Sequence, residues 1–239
     1  MDRLIELRDK YMESENVSEA VYHALAEGIA QRILLPGARI VEVEIAEMLQ
    51  VSRTPVREAI KRLINDELLI YSANGNICVK KFSPTEVRNL IFALDDLRIT
   101  SSMHAADVIT RFQLMELKEV LEQIDEIIQD PNGLYVGKEA EKAVKVNEYD
   151  DMFHAIICEA TENPYIISHY HKLTRIFSIV KNSEEFKKLT SRSFSQSSQD
   201  ERYQIYQALV DRDSRKALEY SAKHAEWIYR WKISSINND

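Results

Sequence analysis

Apolar residues recur at every fourth position over 16–34, where Val17, Val21, Leu25, Ile29 and Ile33 make one stripe of an amphipathic helix. Leu35-Pro36-Gly37 closes it, because proline cannot continue the ladder and glycine permits the turn. A shorter helix follows over about 43–49 with Ile45, Ala46 and Leu49 inward, then a three-residue break at Gln50-Val51-Ser52. The next helix covers about 53–66, with Ser52 or Thr54 as cap and Pro55 in the first turn, where a missing N–H costs nothing. Val56, Ala59, Ile60 and Leu63 form its buried side.

The period then changes. Leu68–Tyr71 and Ile77–Val79 flank Asn74-Gly75, a hairpin turn signal because both residues tolerate positive φ. Two helices, a short break, a third helix and a hairpin are the plan of a winged helix-turn-helix. Ser83-Pro84-Thr85-Glu86 reads as a capping box opening a new helix, so the domain boundary falls at 82/83. Over 83–239 the apolar spacing is helical in six stretches: 85–110, 112–129, 138–161, 165–181, 200–211 and 214–233. Ser198-Gln199-Asp200-Glu201 reads as another capping box. The expected fold is mainly α, with a winged helix-turn-helix at 1–82 and an all-α bundle at 83–239.

Charge sharpens this picture. The chain of 239 residues carries a formal charge of −8, which disfavours diffuse nucleic-acid binding. Residues 50–82 nevertheless hold six basic side chains against three acidic ones, whereas 83–239 hold 20 against 26. On the helix from 53, Arg53, Arg57 and Lys61 stand at i, i+4 and i+8 and share a face opposite Val56, Ile60 and Leu63. Guanidinium groups on a buttressed helix read guanine or clamp phosphate in a major groove. Asn74-Gly75-Asn76 would meet the minor groove or the backbone, with Lys80 and Lys81 near phosphates. Cys78 and Cys158 are too far apart in sequence for a metal knuckle or a disulfide framework. No signal peptide or membrane helix is legible, so a soluble, cytoplasmic protein is expected.

Leu34–Ile40, Glu44–Leu63 and the Asn-Gly wing resemble the N-terminal domain of GntR-type bacterial transcription regulators. The resemblance implies that Arg53, Thr54 and Arg57 contact operator DNA, with Gly75 at the wing tip. Asp150–His154, Asn163, Glu201–Leu209 and Ala217–His224 are similar to the helical FCD domain of the FadR-like branch. That implies a ligand-responsive regulator, a homodimeric repressor controlled by a small organic acid, with double-stranded operator DNA and an anionic effector as partners.

Asp150 and His154 at i, i+4 suit two ligands of one cation. Many proteins with this second domain hold a divalent ion (Zn, Ni or Mn) through Asp, His and two later His. His224 matches the last of these; Arg202 occupies the other place, and arginine has no lone pair to donate. Three readings stay open: a metal on Asp150, His154 and His224; an anionic effector gripped by Arg202 with Asp150, His154 and His224 around it; or a buried ion-pair network that binds nothing. Leu94-Asp95-Asp96-Leu97-Arg98 falls where related chains carry an Arg and a Glu near the pocket, without aligning cleanly. A metal-dependent all-helical enzyme built on Asp150, His154 and His224 is the alternative function, and it leaves residues 16–82 without a role. His169 and His171 point apart on a helix and read as surface residues. Cys158 reads as core, and Trp227, Tyr229 and Trp231 as core or dimer-contact aromatics. Serine-rich 190–198 reads as a loop or a pocket lid, and residues 1–15 as a helix or a free arm.

Overall fold

The turn chemistry read above resolves into ten helices and one hairpin in a computed structural model that describes residues 2–181 and 196–236. Two compact units result among the described residues: 2–83 with Arg175–Lys181, and Pro84–Thr174 with 196–236.

In the first unit the opening residues form α1 (Asp2–Met12), which packs on α2 (Val17–Ala30). Leu4 lies so close over Gly28 that a Cβ there would sit 2.6 Å from its Cδ2, so the glycine makes room for the helix pair. Asn16 caps α2 by accepting from the N–H groups of Ser18 and Glu19 at 3.0 and 3.1 Å. Helix α2 stops four residues short of the predicted end: Arg32 turns left-handed at φ 59°, ahead of the Pro-Gly pair. Helices α3 (Glu42–Met48) and α4 (Arg53–Asn65) end in the same way, on Gln50 at φ 52° and Glu67 at φ 61°. Val51 and Leu68 then donate back to the carbonyls of Ala46 and Leu63. Val56, Ala59, Ile60 and Leu63 are buried against α2, as their spacing predicts.

Strands β1 (Leu69–Tyr71) and β2 (Ile77–Val79) pair antiparallel with Leu69 opposite Val79. The turn spans five residues, and only Gly75 takes positive φ (75°); Asn74 does not. Residues 37–40 add a third edge, with Ile40 N–H donating to Ile77 and Val79 N–H to Ala38. No alternation in the sequence marks that edge.

The second unit is all helical among its described residues: α5 (Pro84–Val108), α6 (Arg111–Gln129), α7 (Glu139–Ala160), α8 (Pro164–Lys181) as far as Thr174, α9 (Gln196–Val210) and α10 (Ser214–Ile236). Pro84 takes the first position of α5, as expected. Thr110 and Gln113 form a capping box at the start of α6. Helix α9 includes Ser198, so the expected cap there is wrong; Ser198 and Gln199 are buried inside it. Leu117, Leu121, Ile124, Phe153, Ile157, Ile205 and Leu209 make the core of α6, α7 and α9. No helix in the described residues is long and apolar enough to cross a membrane. The side chains of Trp227, Tyr229 and Trp231, and most of serine-rich 190–198, lie outside the described residues.

Candidate nucleic-acid interface and buried polar cluster

Arg53, Thr54, Arg57 and Lys61 are all exposed on α4, and the opposite face is held by its buried Val56, Ala59, Ile60 and Leu63. Structure adds a residue that no spacing indicated. Glu42, in the first turn of α3, accepts from Arg57 Nε and Nη2 at 3.1 Å each and lies 3.7 Å from Arg53 Nη2. Those guanidiniums hold the Glu42 carboxyl below its ordinary range. At the wing, Asn74 and Gly75 are exposed, and a Cβ at Gly75 would meet nothing within 4 Å. Lys80, expected near phosphate, is partly buried, 3.6 Å from Glu67, with its ammonium 4.7 Å from the Phe82 ring.

The second unit carries a buried polar cluster inside its apolar core. Helix α7 turns Asp150 and His154 to the same side as Phe153 and Ile157, and α9 turns Arg202 inward with Ile205. Helix α10 supplies Ser221 and His224, and α5 supplies Asp95 and Arg98. Fragment 94–98, which the sequence could not align, therefore places two charged residues in the cluster. Arg202 is 1% exposed. Its Nε and Nη2 both reach Asp150 Oδ1, at 2.8 and 2.7 Å. Its Nη1 donates to Gln199 Oε1 at 3.4 Å, and Gln199 in turn donates to the Leu121 carbonyl at 2.9 Å. Arg98 lies 3.3 Å from Asp151 and 3.7 Å from Asp95.

Burial alone would raise the Asp150 carboxyl, but Arg202 and the other neighbouring cationic groups hold it well below its usual range. Burial, reinforced by Arg98, pushes His154 well below an ordinary imidazole. Burial also lowers His224, against the pull of Glu201. Burial thus favours the neutral form of both rings. His224 Nδ1 meets the Glu201 carboxylate at 3.0 Å, a contact in which Nδ1 donates, and in the neutral ring Nε2 then presents a lone pair. Among the described residues that Nε2 is buried without a hydrogen-bond partner, as are both nitrogens of His154, Ser221 Oγ, Arg98 Nε and Asp95 Oδ2. Unsatisfied polar atoms at this density call for a partner, whether water, ion or ligand.

Asp150, His154 and His224 offer donor atoms within 4.8 Å of one another, a possible cation site. The fit is poor at one atom. Asp150 Oδ1, 3.8 Å from His154 Nε2, already accepts twice from a guanidinium whose charge opposes a cation. Cys158 is core: it is buried, lies 3.3 Å from Ser101 Oγ, and its thiol is pushed up to about 11 by burial. His169 and His171 are exposed.

Residues 17–78 match the family described as bacterial regulatory proteins, gntR family, and residues 99–226 match the FCD domain. The HTH-type transcriptional repressor RspR of Escherichia coli K12 is 26% identical over 149 residues, covering 62% of this chain and 61% of RspR. The Nta operon transcriptional regulator of Aminobacter aminovorans is 44% identical over 63 residues, 26% of this chain and 28% of that protein. Among solved structures, a putative transcriptional regulator GntR from Rhodococcus sp. RHA1 superposes with a TM-score of 0.65 at 21% identity, covering 91% of this chain and 97% of the other. E. coli McbR/YncC gives 0.63 at 19% identity, covering 89% and 95%.

Proposed function

The chain belongs to the GntR family of bacterial regulatory proteins and carries an FCD domain, and from that premise we propose that it is a DNA-binding transcriptional regulator answering to a small effector. The observation that carries this reading is the exposed row of Arg53, Arg57 and Lys61 on a helix whose other face is buried. Inserted into a major groove, Arg57 reads base edges, Arg53, Thr54 and Lys61 grip the backbone, and Asn74 and Gly75 touch the adjacent groove. A homodimer would present two such helices to the half-sites of a palindrome, in the cytoplasm, as a repressor.

The effector site in this reading is the buried cluster of Asp150, His154, Arg202 and His224, joined by Arg98. An organic acid suits it: a carboxylate answers the free Nε of Arg98, and a hydroxyl answers the lone pair of His224. Effector binding changes DNA affinity to the extent that it binds the two states of the protein unequally. The enzyme alternative has no support among the relatives, which are regulators by name.

The test is a gel shift on duplexes selected from a random-sequence pool by the purified protein. Specific binding whose logarithm falls steeply with log salt, by about 0.9 per neutralised phosphate, supports the reading. Equal binding by the Arg57→Ala variant overturns the assignment of α4.

A further inference from the structure

We propose that Arg202 replaces a divalent ion in the polar cluster, so that this chain's site works without metal. The inference rests on reading that cluster as the effector site. A divalent ion held among α7, α9 and α10 would neutralise Asp150 and tie it to the facing helix. Arg202 does both through one side chain: its Nε and Nη2 lie 2.8 and 2.7 Å from Asp150 Oδ1, across α7 and α9. Gln199, one turn earlier on α9, accepts from its Nη1 and is itself bonded to the Leu121 carbonyl. The guanidinium is therefore positioned from two sides and buried to 1% exposure. An ion brought to His154 and His224 would share Asp150 with this fixed cation and be repelled by it.

The two imidazoles are freed by the same arrangement. Glu201 orients His224 as it would orient a metal ligand, with Nδ1 donating and Nε2 open. With Asp150 occupied, His224 Nε2, His154 and Arg98 Nε meet the effector by direct hydrogen bonds rather than through a metal.

Metal analysis of the untagged, full-length protein decides it, together with thermal melts in the presence of Zn, Ni or Mn and of a chelator. Wild-type protein is expected to carry well under about 0.1 equivalent of any divalent metal and to melt at the same temperature in all conditions. Arg202→His, which restores a donor, is expected to melt several degrees higher when metal is present at about 100 times its Kd, and to lose that gain when His154 is also changed to Ala. About one equivalent of metal in the wild type, or a melting point that a chelator lowers and metal restores, overturns the proposal. If Arg202→His does not fold, the wild-type measurements decide alone. Neither readout uses DNA or effector, so a metal-loaded wild type leaves the regulator reading standing, and a failure of DNA binding leaves the metal result untouched.

Discussion

Glu42 Oε2 accepts from both Nε and Nη2 of Arg57, each at 3.1 Å, so an acidic side chain of α3 pairs with the central guanidinium of α4. The same carboxylate lies 3.7 Å from Arg53. If α4 enters DNA as proposed above, the anion stands in for phosphate in the free protein, and the duplex must displace it to claim either arginine. Glu42→Gln removes the competing charge. Affinity for duplex of unrelated sequence is expected to rise about two- to fivefold, the modest size of an exposed pair, and more at low salt. An unchanged affinity across salt would show that the pair does not compete.

Arg57 and Lys61 should fail differently. Arg57→Ala is expected to lower binding to the selected duplex about ten- to a hundredfold and to relax discrimination at one base pair. Lys61→Ala should weaken all duplexes alike and reduce the salt slope by about 1. Titrations at four salt concentrations separate the two.

Removing one member of the Arg202–Asp150 pair leaves a buried charge alone. Arg202→Met should cost about 3–5 kcal/mol of folding free energy, while the double change Arg202→Met, Asp150→Leu should recover most of it. Urea unfolding of the three proteins gives the answer. A double variant as unstable as the single one would place the loss in packing rather than charge.

His154 and His224 are held neutral by burial, with folded-state values below the unfolded 6.5. Above pH 6.5 both states are unprotonated and the rings add no pH dependence. Below it the unfolded chain takes up protons that the folded one refuses, so stability falls as pH drops from about 6.5. The urea midpoint is expected to be lower at pH 5.5 than at 7.5, and the gap to narrow in His154→Gln. Midpoints that coincide at both values would mean the rings are not buried neutral.

Among the described residues, six non-glycine residues after helix ends take left-handed φ, from Arg32 to Arg212. Gln50 (φ 52°) and Glu162 (φ 53°) are exposed, so glycine there removes strain without losing contacts. Gln50→Gly and Glu162→Gly should each add up to about 1 kcal/mol, less the entropy that glycine restores to the unfolded chain. A higher urea midpoint at constant m is the sign to look for.

Those six turns also explain where sequence reading stopped. Val56, Ala59, Ile60 and Leu63 announced their face because burial of a helix is periodic. The stops did not announce themselves, since a chain with five glycines ends its helices on Gln, Glu, Asp and Arg. Thr110 and Gln113, which form the capping box of α6, were passed over, while Ser198, read as a cap, lies inside α9. Glu42 was not: its partners are eleven and fifteen positions away, and only the packing of α3 on α4 brings them together. Asp150 and His154 stood out because a shared helix face is a local property. Asp95 and Arg98 carry the same signal, polar residues at i and i+3 inside an apolar stripe, but their company with α7, α9 and α10 is tertiary.

The guanidinium of Arg202 is covalent and permanent, whereas an ion is recruited from the cell. A sensor built this way would report the concentration of its acid unaltered through metal famine or metal excess, and it would need no loading step between synthesis and duty.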